Sequence, residues 1–415
     1  MTNFKKIIPL LLLITSCAFI EKKLNLSDEA ASSKYLDNNE GPLYCATATD
    51  PQIMGSDENN NRSLLRFLSK NQQELKLGFI EKAVLIHLIQ MRARPDQTSA
   101  QSKLEFFYKR KNFSYFNSFY ADNNGGAFFK GLETILADFK SKYSLRELIS
   151  LVDRKFIEDL FVDQAFAKFL EEHKSELEQD EDLRRFYLRA EETLKEGETL
   201  PVYRLMPLYN KIAKEKKTFH KKDYLYSFYD QYKKEFHCNY DMNHYQQSLF
   251  FISDYAIQGN VFGYQEGEES FLSSTSLKNE LKSFAGSPQF AGSSEVRSLA
   301  FCHSDTLALM ASHSRDPGQH LYHLIEYDLG LVQDHIELQK MISFSRHLFL
   351  TSPVRLIYES QRGSKEQLQE LLELNAPLYD AQSLGRIWGW LKQPQNGLFS
   401  FHLDTRMPGN ISCKK

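Results

Sequence analysis

Apolar residues first gather in the run Ile7 to Ile14, directly behind Lys5 and Lys6. From Ala18 to about Asn61 the chain turns polar, rich in Asn, Asp, Ser and Glu, and shows no sustained apolar period. A helical spacing begins near Ser63: Leu64, Leu65 and Leu68 share one face, and Leu77, Ile80, Val84, Ile86 and Leu88 continue it until Pro95. Aromatics crowd Lys103 to Tyr120 and read as core, and Asn123-Asn124-Gly125-Gly126 breaks the pattern. A second amphipathic helix runs from Phe128 to Tyr143. Ser144-Leu145-Arg146-Glu147 is a capping-box signature that opens a third, and Glu171 to Glu198 reads as a solvated, charge-laced helix closed at Gly197. Past Gly197 short apolar segments predict strands at 200–205, 255–262, 270–276, 320–329, 341–350, 354–358 and 398–403. Helices are expected near 226–236, 277–284 and 364–374. With no βαβ rhythm, the expectation is an α+β chain: an all-helical domain over 62–197 followed by a mixed α+β domain over 198–415.

The first run changes meaning once its flanks are considered. A basic start, a short apolar core and the small residues of Ile14-Thr15-Ser16-Cys17 make a secretory leader, too short to span a bilayer comfortably. Those last four residues resemble the lipobox of bacterial lipoproteins. The resemblance implies removal of residues 1–16, lipidation of Cys17 and palmitate-type acylation of the new amino terminus. Residues 17–61 then form a lipidated tether, and acyl chains contribute about 0.8 kcal/mol per buried CH₂ to holding the protein on a membrane. Ala18 favours an outer membrane, by resemblance to sorted envelope lipoproteins.

Composition narrows the partners. With 42% apolar residues the chain can fill proper cores, and 51 basic against 54 acidic residues leave no footprint for nucleic acid. Beyond Cys17 four cysteines remain, Cys45, Cys238, Cys302 and Cys413, an even count that in an oxidising compartment predicts two disulfides in one of three pairings. His237-Cys238 and Cys302-His303 hint at a Cys/His site, but the spacing lacks a Cys-x-x-Cys element, and no metal is expected.

The usual catalytic motifs are missing: no Gly-x-Ser-x-Gly elbow, no Walker-type phosphate loop, no His-Glu-x-x-His. Asp305 and Asp316 flank His313 without forming a recognisable triad. Two segments stand out, Thr199 to Arg204 and Ser270-Phe271-Leu272-Ser273-Ser274-Thr275-Ser276-Leu277. In that order, residues 199–360 resemble mono-ADP-ribosyltransferases of the arginine-serine-glutamate class. The resemblance implies NAD as cofactor, Arg204 on its phosphates, Ser274 ordering the site and Glu337 as the carboxylate, with Glu326 as the alternative, while Gln339, which cannot supply a negative charge, stands where the catalytic Glu is expected. A carboxylate suits the oxocarbenium-like charge built when nicotinamide leaves ribose, and an Arg fork suits phosphates.

The leading expectation is therefore a lipid-anchored envelope component that binds a protein partner without catalysis. The rival expectation is an ADP-ribosyltransferase-like enzyme.

Overall fold

The computed structural model describes residues 51–413 apart from 56, 122–126, 215–217, 223–225, 230–234, 240–256, 279–282, 285–286, 291–299, 313, 315, 327–331, 333, 352–353, 382, 393–396, 398 and 407–408. Cys17 and Cys45 lie outside the described residues.

Two antiparallel sheets form the centre. The first joins β1 (Gln52–Gly55), β2 (Lys103–Arg110), β3 (Phe113–Ala121), β6 (Phe219–Lys222), β9 (Ile257–Glu266), β10 (Glu269–Lys278) and β20 (Asn410–Cys413) in the order β20-β1-β9-β10-β2-β3-β6. The second joins β7 (Tyr226–Tyr229), β8 (Glu235–Asn239), β13 (Ala300–His303), β14 (Leu307–Ser312), β18 (Arg386–Lys392) and β19 (Phe399–His402) in the order β19-β18-β14-β13-β8-β7. A strand places alternate side chains on opposite faces, so each sheet has two faces to cover. Phe106, Tyr108, Phe119, Phe262 and Phe271 turn toward helices, whereas Phe107, Phe116, Val261 and Leu272 meet Phe301, Met310, Trp388 and Trp390 of the second sheet. The far face of the second sheet, with Cys302, Leu309 and Ile387, is covered by more helices. The result is a helix, sheet, sheet, helix sandwich.

The helical layer over the first sheet comprises α1 (Glu58–Leu75), α2 (Phe79–Ala93), α3 (Ala127–Asp138), α4 (Leu145–Lys155), α5 (Gln164–Glu172), α6 (Lys174–Gln179), α7 (Glu181–Tyr187) and α8 (Leu205–Ile212). Every residue of α2 is buried, so its polar side chains need partners. Lys82 pairs with Glu266, Arg92 with Asp153, and Gln90 accepts from Asn260. Ser144 and Glu147 form the expected capping box on α4. Over the second sheet lie α9 (Pro317–Glu326) and α10 (His335–Ser343). Gly389 of β18 lets α10 approach closely: a Cβ there would sit 2.5 Å from Ile342 Cδ1. Two short hairpins stand apart, β4 (Leu188–Arg189) with β5 (Glu192–Thr193) and β11 (Ser283–Phe284) with β12 (Ser287–Phe290), and a smaller sheet follows. It pairs β15 (His347–Thr351) with β16 (Val354–Tyr358), and α11 (Lys365–Glu373) carries the chain to β17 (Leu378–Asp380), parallel to β16.

The α+β class is as expected, but the all-helical domain over 62–197 is not what forms. Its aromatic stretch is the hairpin β2–β3, because Leu104, Phe106 and Tyr108 alternate with Phe107 at a period of two. Strands from both sides of residue 197 share the first sheet, and the end of the expected tether supplies β1 and the start of α1. Residues 320–329, expected as a strand, begin inside α9, and of the segments expected as helix, 226–229 and 235–236 belong to β7 and β8 and 277–278 to β10. Among the described residues a disulfide joins Cys238 to Cys302, at directly opposed positions of β8 and β13.

Candidate active site

Nucleophilic catalysis needs a nucleophile within hydrogen-bond reach of a base. Among the described residues two serines meet a histidine in this way, and their surroundings separate them.

Ser273 Oγ of β10 lies 2.8 Å from His87 Nε2 of α2 and 2.7 Å from the Glu105 carbonyl. His87 Nδ1 lies 2.7 Å from the Ala83 carbonyl, one helical turn back, so it donates there, and Nε2 and the Glu105 carbonyl share the single Ser273 hydroxyl proton. Both side chains are fully buried, and the imidazole is packed against Phe262, Phe271 and Phe106. Burial lowers His87 to about 4, only partly offset by the Ala83 carbonyl. This neutral pair is sealed from any substrate and ties α2 to the first sheet.

Ser314 follows β14, where the chain turns into α9, and is partly exposed. Its Oγ lies 2.7 Å from His320 Nε2. The turn is built locally: Asp316 N donates to Ser314 Oγ at 3.2 Å, and the Asp316 carboxylate accepts from Gln319 N at 3.0 Å. Pro317 then opens the helix, where its missing N–H costs nothing. Burial, followed by the Arg346 guanidinium and the neighbouring His323, holds His320 well below its ordinary value, so it is neutral and able to take a proton. Among the described residues its Nδ1 has no hydrogen-bond partner. Gly385, at φ +62°, packs against this pair, and a Cβ there would lie 3.0 Å from Ser314 Cβ and 3.2 Å from His320 Cδ2. The positive end of α9 faces the loop that carries Ser314, which favours negative charge developing there.

Beneath the site a buried ion network fixes the loops. Arg346 donates to Asp404 Oδ2 at 2.6 Å and to the Leu384 and Gly385 carbonyls, and Arg406 joins Asp404 to Glu359. Burial alone would raise the Asp404 carboxyl, but Arg346 and Arg406 together outweigh it and hold it down to about 2. Among the described residues no group of three or more His, Cys, Asp and Glu side chains is placed to hold a metal ion.

The residues expected from sequence are not brought together. Arg204 is exposed just before α8, whose first amides are held by Asp153 instead. Ser274 is buried in β10 on the face shared with Leu272, between the sheets. Glu337 is exposed on the first turn of α10, Glu326 ends α9, and Gln339 donates to the Leu403 carbonyl. Arg204, Ser274 and the two glutamates thus fall in three different layers of the sandwich. The pair that sequence reasoning missed, Ser314 and His320, carried one signal: Asp316-Pro317 is an N-cap followed by a first-turn proline, which marks a helix start whose first turn brings His320 back to Ser314.

The geometry can now be set beside known proteins. No family model matches the sequence, and no curated protein matches it. In structure, two forms of LmbA2991 align with 91% of this chain and 100% of their own, at TM-scores of 0.59 and 0.58 with 8% and 9% identity. The crystal structure of cephalosporin acylase from Bacillus halodurans aligns with 90% of this chain and 96% of its own, at a TM-score of 0.57 and 10% identity. The likeness is one of fold. It overturns the expectation of an ADP-ribosyltransferase-like domain, because the fold over nine-tenths of the chain is shared with the cephalosporin acylase instead, and neighbours of that kind count against the expectation of a binding component without catalysis. Ser270 to Ser276 is a central antiparallel strand here, paired on both sides with β2 and β9.

Proposed function

We propose that this protein is an acyl-transfer enzyme that cleaves an amide bond, with Ser314 as nucleophile and His320 as base. The observation that carries the reading is the 2.7 Å contact between Ser314 Oγ and His320 Nε2 at the head of α9. The acylase-like fold supports it. Ser314 Oγ attacks the acyl carbon while its proton passes to His320 Nε2. Collapse of the tetrahedral adduct expels the amine, which takes that proton from His320. Water, or a second amine, then removes the acyl group by the same route in reverse. The test is turnover of a panel of N-acyl p-nitroanilides by the purified protein. Activity abolished by Ser314→Ala and restored by no other serine supports the reading; activity unchanged in that variant sinks it.

The chain's location belongs to the same proposal: a lipid on Cys17 holds the enzyme on a bacterial envelope membrane, by the lipobox at Ile14 to Cys17. Metabolic labelling with an alkyne fatty acid is expected to mark the wild-type chain and not Cys17→Ala. Equal labelling of both would remove the anchor.

A further inference from the structure

His237-Cys238 and Cys302-His303 play no part in the acyl-transfer site, yet β8 and β13 bring them into register. Cys238 stands opposite Cys302 and closes the disulfide, and His237 stands opposite His303. Opposed residues share a face and alternate along the strand, so the two imidazoles project together on the face away from the disulfide. Their ring centroids are 5.3 Å apart, and Phe107 packs 4.9 Å from the His303 ring.

His303 is only 5% exposed, and neither of its ring nitrogens makes a hydrogen bond of good geometry, the Ser304 backbone being a marginal neighbour that only slightly favours the charged ring. Buried polar atoms are nearly always partnered, and an orphaned imidazole commonly marks a missing ion or water. The spacing suits an ion. Two imidazoles on one tetrahedral cation, each bonded at about 2.0 Å, have ring centres about 5 Å apart. Burial, followed by Lys109 and His237, lowers His303 to about 3, so the ring is neutral and available as a ligand. The Lys109 ammonium that would oppose a cation is itself met by the Asp305 carboxylate at 3.4 Å.

We propose that His237 and His303 form a two-histidine site for a transition-metal dication of the Zn²⁺ class, held in register by the Cys238–Cys302 disulfide. Water fills the remaining positions, because no third protein ligand is placed among the described residues. Such a site is open and weaker than a four-ligand structural site. It stands on β8 and β13 and is independent of the acyl-transfer reading.

The test is calorimetric titration of the full, disulfide-intact chain with Zn²⁺, alongside His303→Gln and His237→Gln. The expected result is one equivalent of Zn²⁺ bound by the wild type and lost in each variant, with metal-free melting temperatures left close together. Wild-type protein that binds no Zn²⁺, or an equivalent that persists in both variants, overturns the proposal. Should His303→Gln fail to fold, the partly exposed His237→Gln carries the decision alone.

Discussion

At the scale of the residue, two chemically identical Ser–His contacts differ only in what surrounds them. Removing the Ser273 hydroxyl leaves the buried His87 Nε2 without a partner, which costs about 1–3 kcal/mol. Ser273→Ala is therefore expected to lower the melting temperature and keep the activity, whereas Ser314→Ala is expected to do the reverse. Equal effects on both properties in both variants would contradict the assignment. The pH profile gives a second check. A base acts above its pKa, and His320 lies well below the ordinary 6.5. The rate in kcat/KM should therefore stay level as pH falls through 6.5 and fail only further into acid. A half-maximum near 6.5 would exclude this histidine as the base. The sequence shows none of this directly: Ser314 and His320 follow no motif, and their pairing depends on the turn between them.

At the scale of the element, the close approach at Gly385 sets the site's shape. An alanine there strains a left-handed backbone at φ +62° and presses on both Ser314 and His320. Gly385→Ala is expected to reduce kcat by about tenfold while costing about 1 kcal/mol of stability. Unchanged kcat would show that the pair tolerates displacement. Local patterning made part of this level readable. The capping box at Ser144 and the strand Val354–Tyr358 stand where the chain predicts them. Residues 320–329 misled because the apolar run of α9 is too short to distinguish periods of two and 3.6, and Asp316-Pro317 was the better guide. The aromatic hairpin β2–β3 misled differently, since burial on both faces masks the alternation of a half-exposed strand.

At the scale of the whole molecule, stability is tied to acid through the network of Arg346, Asp404, Arg406 and Glu359. Asp404 titrates near 3.8 when unfolded and about 2 when folded. Its contribution is complete above the unfolded value and is lost as pH falls through about 2, a difference of roughly 2 kcal/mol. Asp404→Asn leaves two buried guanidiniums short of an anion and is expected to cost about 3–5 kcal/mol in denaturant unfolding. A cost below about 1 kcal/mol would show the network to be incidental. The α+β class was legible from the mixture of short apolar segments and helical periods, but the sandwich was not. Its first sheet draws β1 and β20 from opposite ends of the chain, and such long-range pairings leave no local period to read.

The most direct measurement is the site of covalent modification by a fluorophosphonate probe, located by peptide mass spectrometry. The expected result is a single adduct on Ser314, formed as its oxygen displaces fluoride, and absent from Ser314→Ala and His320→Ala. No adduct on the folded wild type, or one that persists in Ser314→Ala, would contradict the assignment of Ser314 as the nucleophile.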